Sequence, residues 1–272
     1  MLTDLLVELA SLSVAVFGMV LLAVQFLAFE GGRWLGRKRP VGDDSAEGSS
    51  MVIGSMLGLI GFVLALTLAH ASARFEERRQ GTIGEANAIG TAWLRSSAIG
   101  HDKGNEISLQ LRDYAKTRLA FVRANAESAD LRELNRRTGQ LQSAIWQNFT
   151  VIAQERKDPL VAELMKALND MFDRSTGERF AFALPIPPQI FWLVLVLPLT
   201  ALAALGFHLG QRRDRQLILP IILMAMLTSV VTLVLDLASP RLGSIRPSNL
   251  AYEWTISGQI EPPSVNQRVP AP

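Results

Sequence analysis

Two acidic residues sit where an unpaired charge is costly. Glu85 lies among small residues in EANAIGT, with Asn87 two positions on, and Asp236 closes the apolar run LPIILMAMLTSVVTLVLD. A carboxylate in such a setting finds a partner or serves an ion path, because burying it alone is unfavourable. For Asp236 the two readings are an ion pathway and a structural pair with Arg241. For Glu85 and Asn87 they are an interhelical hydrogen bond and a contact to a ligand or ion. A third polar group, RFEERR from Arg74 to Arg79, allows a Glu76 to Arg79 pair at helical spacing and also reads as a solvated collar beside a membrane.

Other reactive residue types are scattered. His70, His101 and His208 are far apart, and the chain has no HExxH, no Walker loop, no GxGxxG and no nucleophile elbow. It has no cysteine, so thiolate chemistry and a disulfide framework are both excluded. The chain therefore reads as a non-enzyme, with no cofactor and no metal expected. Lys and Arg total 27 against 25 Asp and Glu, a net charge of only +2. The basic residues gather beside apolar blocks, which fits anionic lipid rather than nucleic acid.

The elements that must position these groups are long and apolar. At about 1.5 Å per residue, a hydrocarbon core of about 30 Å needs about 20 residues, and four blocks have that length. They run from about 9 to 29, 51 to 71, 190 to 209 and 217 to 237. The first has Asp4 and Glu8 but no Lys or Arg before it, so it reads as a retained span rather than a secretory signal. The third follows Pro185, Pro187 and Pro188, which suit a helix start, and Pro198 is expected to kink it.

The expected fold class is an all-α membrane protein, with four transmembrane helices and a helical extramembrane domain between the second and third. Residues 1–72 hold the first transmembrane hairpin, 73–185 the helical domain, 186–240 the second hairpin, and 241–272 a polar, Pro-rich tail. In the domain, apolar residues recur at helical spacing: Ile107, Leu111, Tyr114 and Phe121; then Leu141, Ile145, Phe149 and Ile152; then Leu160, Leu164, Leu168 and Met171. Breaks are expected at GHDKG (Gly100 to Gly104), at Glu127 to Asp130 and at Lys157-Asp158-Pro159. No breaker follows the second span, so it should continue out of the membrane as one long helix. Tyr252 and Trp254 in the tail are expected at the membrane interface, and the stretch from Pro262 is expected to be disordered.

Short loops rich in Lys and Arg favour the cytoplasmic side. Arg33, Arg37, Lys38 and Arg39 follow the first span, and Arg212, Arg213 and Arg215 link the third to the fourth. The expectation is a multi-pass protein of the inner (cytoplasmic) membrane, with those loops cytoplasmic and the termini and helical domain periplasmic.

Within the second span, Gly54, Gly58, Gly61, Ala65, Ala69 and Ser72 recur by three and four. Such a stripe lets backbones approach closely. It fits packing against another span of the same chain, a contact between subunits, or a pore wall. Phe62 and Leu66 beside it fit an apolar constriction that gates by dewetting, or a lipid-facing surface.

The run GFVLALTLAHASARFEERRQGTIGEANAIGTAWLR, with DLASPRLGSIRPS after the fourth span, resembles the bestrophin-like family of bacterial integral membrane proteins, a family defined by a domain of unknown function. The polar positions carrying the likeness are Arg74, Glu77, Arg79, Glu85, Asn87, Asp236, Arg241 and Arg246. It is more distantly similar to bestrophins proper, pentameric anion channels with the same order of two spans, a helical domain and two spans. Arg74, Phe75, Glu77 and Arg79 match the arginine, aromatic, glutamate, arginine pattern that ends their second span. The resemblance implies a homo-oligomer in the lipid bilayer, a pore lined by the second span, Gly58, Phe62 and Leu66 at its neck, and small anions as the permeant species. Two features depart from bestrophins: their helical domain is cytosolic, and Ala69 and Ala71 stand where they have an asparagine-rich segment. The alternative function is a non-conducting, membrane-anchored sensor or scaffold whose helical domain binds a partner.

Overall fold

The computed structural model describes residues 14–39, 43–124, 130–183, 187–212, 216–241 and 244–260. The expectations for Asp4, Glu8, Pro185, Arg213, Arg215, the break before Asp130, the start of the first span and the stretch from Pro262 lie outside the described residues. Among the described residues all regular structure is helical: α1 (Val14–Arg37), α2 (Asp43–Ala98), α3 (Asp102–Arg123), α4 (Asp130–Glu155), α5 (Pro159–Ala183), α6 (Pro188–Gln211), α7 (Ile218–Ala238) and α8 (Leu250–Ile260). Four helical stretches are long and apolar enough to cross a membrane, and they fall on α1, α2, α6 and α7.

The chain forms two compact units, Met1–Phe75 with Pro185–Arg246, and Glu76–Leu184 with Pro247–Pro272. This differs from the division expected from sequence, because α8 joins the helical unit instead of standing in a separate tail. Helix α2 contributes to both units as one unbroken helix of 56 residues. No proline lies between Met51 and Ser97 to break it.

In the membrane unit, α1 packs on α6 and α7, and α6 on α7. The core gathers Phe29, Ile60, Leu64, Ala201, Leu202 and Val231. Two glycine pairs set the α1/α6 distance. A Cβ on Gly32 would meet the Ala203 carbonyl oxygen at 2.0 Å and one on Gly36 the Phe207 oxygen at 2.1 Å. From the other side, Gly206 would meet the Phe29 oxygen at 2.0 Å and Gly210 the Arg33 oxygen at 2.2 Å. Backbone therefore lies on backbone, the contact that small-xxx-small spacing permits. The facing residue numbers rise together, so α1 and α6 run parallel, as the first and third of four alternating crossings must. Pro198 lies inside α6 without ending it.

In the helical unit, α3 packs on α4 and α8, and α4 on α5. The periodic residues of the sequence fill this core, except Leu160, which is 56% exposed in the first turn of α5. Both described breaks have local causes. Gly100 takes φ of 65° and the His101 ring accepts from Lys103 N at 3.0 Å to start α3. Asp158 accepts from Leu160 N at 3.0 Å and Val161 N at 3.2 Å, with Pro159 in the first helical position.

Candidate functional site

In the membrane unit, α2 has two unlike sides. Ile60 and Leu64 are buried in the unit's own core, and Ile53 and Ala71, whole turns away on the same side, are buried too. The small-residue stripe is uncovered among the described residues: a Cβ on Gly54, Gly58 or Gly61 would meet none of them within 4 Å. Ala65 is also exposed, and Phe62 and Leu66 are 62% and 56% exposed. Among the described residues, then, these glycines pack against no other span of the chain. The span that does pack through glycine is α1, against α6.

In the helical unit, the side chain of Glu85 leads to a polar cluster in the core. Arg118 on α3 donates from Nε to Glu85 Oε1 at 2.7 Å and from Nη2 to Glu85 Oε2 at 3.0 Å, a two-pronged grip. The same Nη2 donates to Glu178 Oε2 on α5 at 2.7 Å. The hydroxyl of Tyr252 on α8 lies 2.7 Å from Glu85 Oε2 and 3.0 Å from Glu178 Oε2. Tyr114 on α3 accepts from Gln142 on α4 at 3.1 Å and points its hydroxyl at Glu85 Oε1 from 3.5 Å. The Phe121 ring covers the guanidinium at 4.3 Å. One cluster thus joins all five helices of the unit. The side chains of Glu85, Arg118 and Glu178 are fully buried.

The electrostatics split the two carboxyls. Burial pushes Glu85 up, but the Arg118 charge and the hydrogen bonds from its neighbours outweigh it and hold the group below the usual carboxylate range. Glu178, with burial and the hydrogen-bonded Glu85 acting together, is pushed up to about 8. Burial and the adjacent carboxyls hold the Tyr252 phenol well above its ordinary value. At neutral pH the cluster is therefore an ionised Glu85, a cationic Arg118 and a protonated Glu178.

The remaining sequence candidates are spread out. Asn87 is exposed on α2, where its backbone carbonyl accepts from Thr91. Arg74 is half-buried and Glu77 exposed, while Arg79 grips Glu76 at 2.8 and 3.0 Å on the surface. Arg78, in the same run, is buried, so the run is not solvated throughout. In the membrane unit, buried Asp236 accepts from Ser244 Oγ at 2.7 Å and from Ile245 N at 3.3 Å, which ties the chain leaving α7 back to its end. Arg241 is buried nearby and its carbonyl accepts from Arg246 at 3.0 Å. Tyr252, expected at the membrane interface, is fully buried in the helical unit because its hydroxyl finds the two carboxyls. Trp254 on the same helix is 70% exposed. Among the described residues no group of His, Asp or Glu is placed to hold a metal ion.

Arg118, Glu178 and Tyr252 do not stand out by composition, yet two of them leave a trace. Arg118 continues the spacing Ile107, Leu111, Tyr114 toward Phe121, and Glu178 continues Leu164, Leu168, Met171 and Ser175 toward Phe182. A charge in the register of a buried stripe marks an internal partner.

Comparison with known proteins agrees with this architecture. A Bestrophin-like domain matches residues 14–250. The fold resembles the crystal structure of a bacterial Bestrophin homologue from Klebsiella pneumoniae, with a TM-score of 0.61 at 15% identity over 89% of this chain and 95% of that one. Two variants of that homologue give TM-scores of 0.63, at 16% identity over 89% and 96% and at 17% identity over 90% and 97% of the two chains. No curated protein matches the sequence. With its domain match across both units and all four candidate spans, this membrane protein belongs to the Bestrophin-like family.

Proposed function

We propose that the protein is a homo-oligomeric ion channel whose pore wall is the uncovered side of α2. The supporting observation is that Gly54, Gly58 and Gly61 have no described residue of the single chain against them. Glycine inside a helix costs about 1 kcal/mol relative to alanine and gives lipid little to pack on. The same chain uses glycine on α1 and α6 to bring two backbones together. A second copy is the natural occupant of the α2 stripe, and copies arranged about an axis bring Phe62 and Leu66 toward it as an apolar neck. A small anion as the permeant species rests on the family resemblance.

Anion flux into liposomes holding the purified protein, together with its mass in detergent, tests this reading. An oligomer with flux is expected, and Phe62→Ala should raise or lower that flux at least about threefold by changing the neck. A monomer without flux overturns the channel. An oligomer without flux favours a membrane-anchored sensor or scaffold. Both basic segments, at the ends of parallel α1 and α6, belong on the cytoplasmic side of the inner membrane, with the helical unit periplasmic. A cysteine introduced at exposed Ser143 should then react with an impermeant thiol reagent in intact cells, whereas one at Lys38 should not. The reverse pattern inverts the topology.

A further inference from the structure

Tyr252 sets a hydrogen-counting problem. Its hydroxyl lies within hydrogen-bond distance of Oε2 on both Glu85 and Glu178. A phenol carries one hydrogen and donates once. The shorter contact, to Glu85, takes it. The contact to Glu178 then needs a hydrogen supplied by the carboxyl. Charge counting agrees, since one guanidinium faces two carboxyls in a place sealed from water.

The cluster also holds α8 on the unit. Tyr252 is fully buried and Gln259 is buried on that helix, whereas Leu250 and Trp254 are exposed. Its other polar ties lie nearer the surface: the Arg123–Glu253 ion pair, with both side chains at least 40% exposed, and Thr255 Oγ1 on the Ala86 carbonyl at 3.2 Å. An exposed ion pair contributes little. Beside the apolar packing of Ala251 and Ile256 on the core, the buried hydroxyl is therefore the most enclosed polar tie that holds α8.

We propose that Glu85, Glu178, Arg118 and Tyr252 form a binding site for a single proton, whose occupied state clasps α8 to the helical unit and whose vacancy releases it. The groups facing Glu178 are Glu85 and Thr82 from α2, Arg118 from α3 and Tyr252 from α8. Gln142 of α4 reaches the cluster only through Tyr114. Arg78, buried one turn before Thr82, is the further charged group on this side of α2. Losing the proton sets two carboxylates against one guanidinium and leaves one contact of Tyr252 without a hydrogen. The sign follows from where the proton binds. Docked Glu178 holds it up to about pH 8, whereas an undocked, hydrated Glu178 ionises near 4.5. Rising pH across that interval favours release by about tenfold per unit, and above it the balance is flat. The clasp stands whether or not the spans conduct.

The chain has no cysteine, so single thiols can be introduced cleanly. Ile256 on α8 is half-buried against the core and Ser257 beside it is exposed. In full-length protein, the ratio of thiol-modification rates for Ile256→Cys over Ser257→Cys reads α8 undocking and cancels the pH dependence of the reagent. The ratio should climb by about tenfold per pH unit from pH 5.5 and level near pH 8. Adding Glu178→Gln, whose amide supplies the missing hydrogen without a charge, should hold it low and flat. Adding Tyr252→Phe should hold it high and flat. A pH-independent ratio in the parent, or an unchanged titration with Glu178→Gln, overturns the proposal. Should the glutamine variant not fold, the parent and Tyr252→Phe still decide it, since equal ratios in those two at every pH overturn the clasp.

Discussion

The membrane unit contains two glycine stripes with opposite fates. On α1 and α6, Gly32, Gly36, Gly206 and Gly210 are closed on one another, each facing a carbonyl oxygen across a distance that no Cβ tolerates. On α2, Gly54, Gly58 and Gly61 face none of the described residues of the chain. The residue type and the spacing are alike, so glycine periodicity alone does not say where a helix packs. It says only that a backbone is available for close approach. The closed stripe is used within the fold, and the open one meets no described residue of this chain.

That contrast breaks most sharply at Gly206. Gly206→Val forces a side chain into the Phe29 carbonyl and should cost at least about 3 kcal/mol, seen as a collapse in the yield of monodisperse protein and a large fall in melting temperature in detergent. Survival of the variant with wild-type melting would show that the crossing is looser than its distances imply. Gly58→Val should leave the fold of the single chain within about 0.5 kcal/mol but weaken assembly by tenfold or more, about 1.4 kcal/mol, read as a shift toward smaller mass on dilution. An unchanged mass would mean that the open stripe faces lipid. The smallest effect is expected at Gly31, next to a closed glycine but with nothing within 4 Å of its own Cβ position. Gly31→Ala should be silent within about 0.5 kcal/mol, and a loss comparable to that at Gly206 would show that glycine is needed in α1 for some reason other than contact.

The four spans and the helical unit were legible because bilayer thickness and helical periodicity write themselves into block length and spacing. Glu85 was legible as an anomaly, a carboxylate among alanines and glycines. Its partners were not, since Arg118, Glu178 and Tyr252 lie far along the chain and pairing across such separations depends on how helices are laid together. The register of the buried stripes marks Arg118 and Glu178 as internal, but not as neighbours. Tyr252 gave a misleading signal: an amphipathic aromatic beside a span suits a membrane interface, and only the carboxyls waiting in the core take it elsewhere. The glycines of α1 and α6 are less conspicuous in the sequence than the longer α2 stripe, and a local pattern does not reveal whether its partner comes from the same chain.

The α1/α6 crossing also constrains movement. Four glycines seat four carbonyls in alternation, so sliding one helix along the other would lift each carbonyl off its glycine and bring side chains of the same face into the gap. The seam is a ratchet with a single tooth engaged. Axial creep between these two spans is blocked in both directions short of separating them, and they shift as one stiff plank. Relative movement within the membrane unit is therefore left to α2 and α7, whose contacts run through side chains that can change rotamer.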